Sequence, residues 1–266
     1  WDGYHFFQKR PTFIALSEKL SSEELRRELA KPEVKALILS EEDSAPDASK
    51  QFDSIGAFLL SMLDKMYSMG DTPDYEPGPQ QLVTNMAEAA GVDPVSFAYD
   101  LLNKDAGRSF LMLPFFNYVG GTQDAIYEML KHPATVSGLS DGGAHVRMIC
   151  DASIPTYVLS HWARDRHRGP KLTIEEAVKV QTLDTANVMG FNDRGQLAVG
   201  KKADINVIDM ENLALGFPHA EDDLPAGGRR LLQTATGYVA TIVNGVVTRR
   251  HGVDTGERPG RLVRSR

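Results

Sequence analysis

The residues best suited to chemistry in this chain lie in Ser140-Asp141-Gly142-Gly143-Ala144-His145. A carboxylate set just past the C-terminal end of a strand opens onto the face where α/β barrels keep their active sites. Two glycines after it let the backbone turn sharply and leave room for a ligand. Spacing alone, however, favours a humbler use of Asp141 as a helix cap or a turn brace, because such roles outnumber catalytic carboxylates. His145 follows four residues on, and in a helix it would share a face with Asp141. A contact to substrate and a hydrogen-bonded, half-buried imidazole fit His145 equally well.

Other chemistry-bearing groups are less pointed. His161 and His167, with Arg164, Arg166 and Arg168, form a basic cluster that could hold a substrate carboxylate, although such a run is more often a solvated helix face. Cys150 has no CxxC partner and reads as a plain buried thiol beside Asp151. The chain contains no HxH, HExxH, Walker loop or GxGxxG. Its 7 scattered histidines show no metal-ligand spacing, so no complete zinc site is legible.

The elements that would position these groups can be read from caps and periodicity. Ser21 and Glu24 have capping-box spacing, and Leu25 and Leu29 share a face. Pro32 is expected to stop that helix before a strand at residues 34–39. Residues 41–50 read as a polar loop, 55–66 as either a buried helix or a strand, and 70–79 as loop. A helix over 80–90 ends at Gly91, and Asp93 then caps another with Pro94 at its first position and Val95, Ala98, Leu101 and Leu102 inward. A buried strand is predicted over 109–116, a helix after Thr122, and a strand over 135–139 that delivers Asp141. Alternation of this kind predicts βα units around a parallel sheet.

Thr173 and Glu176 form a second capping box, and Ala177, Val178 and Val180 face inward behind it. After Gly190 the texture becomes β-prone, at residues 196–199, Ile205–Ile208, and Tyr238–Val243 joined to Val246–Arg250 through Asn244-Gly245. That dipeptide is the strongest hairpin signal in the chain, since both turn residues need positive φ. A small β subdomain over about residues 192–253 follows from these pieces.

Composition bounds the partners. With 36 acidic and 29 basic residues the net charge is −7, which argues against a general nucleic-acid binder. No apolar run reaches the roughly 20 residues of a membrane span. A single cysteine excludes an internal disulfide framework and fits a reducing, cytoplasmic compartment. The opening Trp1-Asp2-Gly3-Tyr4 reads as a chain entered partway.

Three stretches together resemble one family. Residues 135–145 are similar to the last barrel strand of metal-dependent amidohydrolases, whose Asp closes the metal site. Residues 172–209 resemble the family's helix pair followed by G-x-L/I-x-x-G-x-x-A-D-L-x-V-x-D, and 237–248 its closing strand pair. Residues 150–168, the Leu224-Pro225-Ala226-Gly227-Gly228-Arg229-Arg230-Leu231 stretch and the ending from Pro259 to Arg264 are similar to the branch containing N-acyl-D-amino-acid deacylases.

The resemblance implies the C-terminal portion of an α/β (β/α)8 (TIM) barrel over residues 1–191, with 1–70 insertion-like, and a small β-sandwich with a tail over 192–266. It implies hydrolysis of a linear amide, an N-acyl-D-amino acid, with one or two Zn2+. In that chemistry a metal-bound water is acidified to near neutrality and the adjacent carboxylate acts first as base, then as acid. Asp141 would take that role as ligand and proton carrier, with His145, Asn117 and Tyr118 at the substrate. Arg147 stands where relatives tend to carry a small residue. The family's remaining metal ligands belong to the half of the barrel that precedes Trp1. The chain alone is therefore expected to be inactive, and to pair with an upstream half or with itself, because a part-barrel exposes strand edges. The rival readings are a cyclic-amide hydrolase of the dihydroorotase or hydantoinase kind and a non-catalytic interaction piece.

Overall fold

The computed structural model describes residues 1–47, 49, 53–138 and 140–263. The chain divides into two compact units, the first comprising Trp1–Thr122, His145–Ile149 and Pro218–Leu232, the second Gln123–Ala144, Cys150–Phe217 and Gln233–Arg266.

Helices build most of the first unit, and their starts follow the caps. Ser21 and Glu24 close their capping box on the helix Ser22–Leu29. Asp93 accepts from the Ser96 N–H at 2.9 Å and opens Pro94–Leu102. Gly91, at φ 65°, ends Val83–Ala90 with the left-handed turn a side chain would resist. Residues 55–66 settle as the helix Ile55–Ser61 and a short 3₁₀ turn, Leu63–Lys65.

Pro32 does not stop a helix before a strand. It occupies the first position of the helix Pro32–Ser40, where a missing N–H costs nothing. The strand expected at 34–39 is therefore helix. Its apolar residues serve that geometry, with Ile38 fully buried and Leu37 half exposed.

One core organises this unit. Trp1, Phe6, Phe7, Phe13, Leu29, Ile38 and Tyr99 pack with Val83 and Leu101. The Tyr99 hydroxyl donates to the Leu29 carbonyl at 2.9 Å, so the buried ring carries no orphaned polar atom. The strand expected over 109–116 shrinks to Leu111–Met112, antiparallel to Tyr67–Ser68. A hairpin of His219–Leu224 and Gly228–Leu232 carries the cross-strand ion pairs Asp222–Arg229 and Asp223–Arg230. Arg229 also reaches Asp2, which takes Arg26 as well.

The second unit packs Val158, Leu159, Trp162, Leu172, Ala177 and Leu213 into its own core. Thr173 and Glu176 form the expected capping box on Ile174–Gln181. A four-stranded antiparallel sheet runs in the order Val253–Asp254, Val246–Arg250, Tyr238–Val243, Ile205–Ile208. Its hairpin turns at Asn244 (φ 51°) and Gly245 (φ 82°), as the sequence requires.

Three strand expectations do not hold here. Residues 135–138 are irregular and mostly exposed, and Leu139 lies outside the described residues. Residues 196–199 form no strand, because Gly195 (φ 82°) and Gly200 (φ 87°) turn the chain at either end and leave Leu197 and Val199 exposed. The parallel sheet is also corrected, since every strand pair among the described residues is antiparallel. A parallel strand needs neighbours that bury it on both faces, and residues 135–138 have none. No helix among the described residues is long and apolar enough to cross a membrane.

Candidate functional site

Asp141 belongs to the second unit, and its exposed carboxylate caps no helix. The backbone is left-handed at Asp141 (φ 48°) and again at Gly143 (φ 105°), and the Ala144 N–H closes the turn onto the Asp141 carbonyl at 3.0 Å. A Cβ on Gly142 would stand 3.3 Å from the Ala152 Cβ, so this turn lies against the 3₁₀ turn Asp151–Ser153. The Asp141 carboxylate makes no hydrogen bond to the chain among the described residues. The cap reading is thereby removed.

Two groups beside that turn carry shifted acidity. Burial, and after it the charge of Asp141, push the Asp151 carboxyl above the usual carboxylate range. Burial, and after it Asp151, push the Cys150 thiol up to about 11, so it stays protonated. Ser153 Oγ donates to Gln233 Oε1 at 2.6 Å, while Gln233 Nε2 reaches the Gly216 carbonyl at 2.8 Å. Asp151 carried no signal in the sequence beyond its place next to Cys150. Its relation to Asp141 depends on the return of the chain, which spacing does not encode.

The other candidates belong to the first unit. His145 is exposed at φ 45°, and its carbonyl accepts from the Met148 N–H at 2.7 Å. Residues 141–145 are turns, so the shared helical face proposed for Asp141 and His145 does not form. Asn117 is exposed at φ 60° in a loop beyond the Leu111–Met112 strand. Tyr118 is buried against Tyr67, with ring centres 5.8 Å apart, and its hydroxyl donates to the Pro77 carbonyl at 2.7 Å.

The basic cluster serves structure in the second unit. Residues Val158–Asp165 wind as a wide π turn, and the Arg166 N–H closes it on the His161 carbonyl at 2.8 Å. Arg166, expected on a solvated face, is instead wholly buried. Its guanidinium lies 4.7 Å over Trp162, pairs with Asp124 at 2.7 Å and donates to the Pro170 carbonyl at 2.7 Å. Arg164 is likewise committed, to Asp165 and to the Met210 and Leu213 carbonyls. His161 stacks on Tyr157 at 4.5 Å.

No group of three or more His, Cys, Asp or Glu among the described residues is placed to hold a metal ion. The donor set does not fit a bound Zn2+, which takes three protein ligands even in its open catalytic sites.

A model of the Amidohydrolase family matches residues 1–249, and the chain belongs to that family. The match supports metal-dependent hydrolysis as its general activity. No curated protein and no solved structure matches the chain.

Proposed function

We propose that this protein takes part in hydrolysis of linear amides, with N-acyl-D-amino acids as the substrate class and Asp141 as the proton carrier. The observation that carries the reading is a carboxylate with no hydrogen-bond partner among the described residues, held in a Gly-rich turn inside a chain of the amidohydrolase family. An exposed Asp of this kind takes a proton from the water that attacks the amide carbonyl. It then returns the proton to the departing amine, so that an amine and not an amide anion leaves. The family resemblance is what assigns His145, Asn117 and Tyr118 to the substrate, and of these His145 and Asn117 are exposed. The D-amino-acid preference rests on the resemblance of residues 150–168 and 224–231 to the deacylase branch. No step is routed through zinc, because the residues described here do not assemble its ligands.

The test is product analysis on N-acetyl-D-amino acids, their L-isomers and cyclic amides such as hydantoin, using the polypeptide as the cell makes it. Expected is hydrolysis of the linear D-substrate, reduced about 10²-fold or more by Asp141→Asn. Turnover restricted to cyclic amides, or an Asp141→Asn enzyme as fast as the parent, refutes the assignment.

A further inference from the structure

An open cleft of about 600 Å³ lies on the four-stranded sheet of the second unit, and every residue of its walls belongs to that unit. Side chains alternate between the two faces of a strand, and directly opposed residues share a face. Ile208 and Tyr238 turn inward onto the core that holds Leu213, and Ala240 is buried. Val239 and Thr241 therefore face outward. So do Arg249, which stands opposite Thr241, and His251, whose N–H donates to the Val239 carbonyl at 2.9 Å. Asp209 follows the inward Ile208 and is exposed on the same outer side, its N–H carrying the ladder on to the Gly237 carbonyl at 2.8 Å. All five outward residues line the cleft.

Two of these groups are charges of opposite sign that form no ion pair among the described residues, with each other or with anything else. The Asp209 carboxylate accepts from Asn212 Nδ2 at 2.8 Å and from the Asn212 N–H at 3.2 Å, and these bonds hold it below the usual carboxylate range, so it is ionised. Arg249 gives one N–H to the Gly252 carbonyl at 3.0 Å, and Asp254, opposite it on the next strand, has both oxygens taken by Arg258. The His251 ring has no partner among the described residues. Other polar walls are committed, the Thr236 hydroxyl to the Asn212 carbonyl at 2.9 Å and the Tyr238 hydroxyl to Thr156 at 2.8 Å.

From this arrangement we propose that the cleft binds a short zwitterionic peptide, its carboxylate on Arg249 and His251, its ammonium on Asp209, its chain along Val239 and Thr241. A simple anion would answer Arg249 but share the cleft with an ionised Asp209, and a simple cation would meet the reverse. A ligand carrying both charges satisfies both ends. Two strand spacings across and two residues along separate Asp209 from His251, about 12 Å in all. Three extended residues span about 10 Å, so a tripeptide matches the gap. The volume, about 600 Å³, also lies within the roughly 300–1,000 Å³ of small-molecule sites. The amide chemistry proposed above uses none of these residues.

The experiment is NMR of the nitrogen-labelled full chain, following the Val239 and Thr241 amides during titration with trialanine, N-acetyl-trialanine and trialanine amide. Trialanine is expected to shift both amides saturably in the millimolar range, and each blocked peptide to bind about three- to fivefold more weakly. Asp209→Asn, whose amide oxygen can still accept from Asn212, should weaken trialanine by the same factor and leave N-acetyl-trialanine unchanged. Arg249→Met should weaken trialanine likewise and leave trialanine amide unchanged. Parent-like binding of the matching blocked peptide also shows that each variant is folded. If loss of the bond to Gly252 unfolds Arg249→Met, the blocked peptides on the parent chain decide. No saturable shift, blocked peptides that bind as trialanine does, or folded variants that weaken every peptide equally would each overturn the proposal.

Discussion

Acidification below about pH 6 should destabilise the first unit through one buried imidazole, that of His5. His5 packs edge-on to Trp1 with ring centres 5.0 Å apart and to Phe13 at 4.6 Å. Burial, and after it the charges of the Trp1 amino group and Arg147, hold its pKa well below the ordinary 6.5. The folded unit therefore keeps a neutral ring while the unfolded chain takes up a proton below 6.5. Stability is fully present above that value and is lost as the pH falls, until the depressed folded pKa is reached. One pH unit below 6.5 the unfolded histidine is about nine-tenths charged, which costs the folded state about 1.4 kcal/mol, and each further unit costs about 1.4 more. Aspartates and glutamates add little between about pH 7.5 and 5.5, because their unfolded pKa values lie near 4. The chain has 2 tryptophans, Trp1 in one unit and Trp162 in the other, so a Trp162→Phe background makes Trp1 fluorescence a local probe. Urea unfolding in carboxylate-free buffers should show the slope, and His5→Phe should remove the part below about pH 6, where the Trp1 amino group, lowered by burial from 8.0 to about 6, no longer contributes, at a constant cost of about 1–3 kcal/mol for the orphaned Phe7 N–H. If His5→Phe keeps the parent's slope over this range, the buried neutral imidazole is the wrong cause.

Two further substitutions bear on the second unit. Thr173→Ala removes the acceptor for the Glu176 N–H, at 3.2 Å on the protein surface, and should lower stability by about 1 kcal/mol, read on Trp162 in a Trp1→Phe background. Asp141→Gly relieves a left-handed residue at φ 48° and should raise stability by up to about 1 kcal/mol while abolishing hydrolysis. A loss of stability in Asp141→Gly would instead mean that the carboxylate braces its turn.

What the sequence made legible was local. The Asp93 and Thr173 caps, Pro94 at a first helical position and the Asn244-Gly245 turn are each decided by atoms within a few residues. Failures came where an element needs partners distant in the chain. Val34 to Leu39 is apolar enough for a strand, but the helix buries Ile38 while leaving Leu37 half in solvent, a division of faces that an apolar run does not specify. Residues 135–138 have strand-forming side chains and no strand beside them, and pairing is what makes a strand. Arg166 was hidden for another reason. A charge run reads as surface, and only the π turn that swings its side chain over Trp162 takes it inside.

The same division explains why Asp141 could be chosen by type and not by geometry. Its neighbours Gly142 and Gly143 announce a sharp turn, yet caps, braces and catalytic carboxylates all use such turns. Among the described residues no helix begins there to be capped and no hydrogen bond holds the carboxylate, which removes the cap. A left-handed Asp costs about 1 kcal/mol. Strain of that size, with no bond from the side chain to offset it among the described residues, is the reason we propose a ligand for this carboxylate.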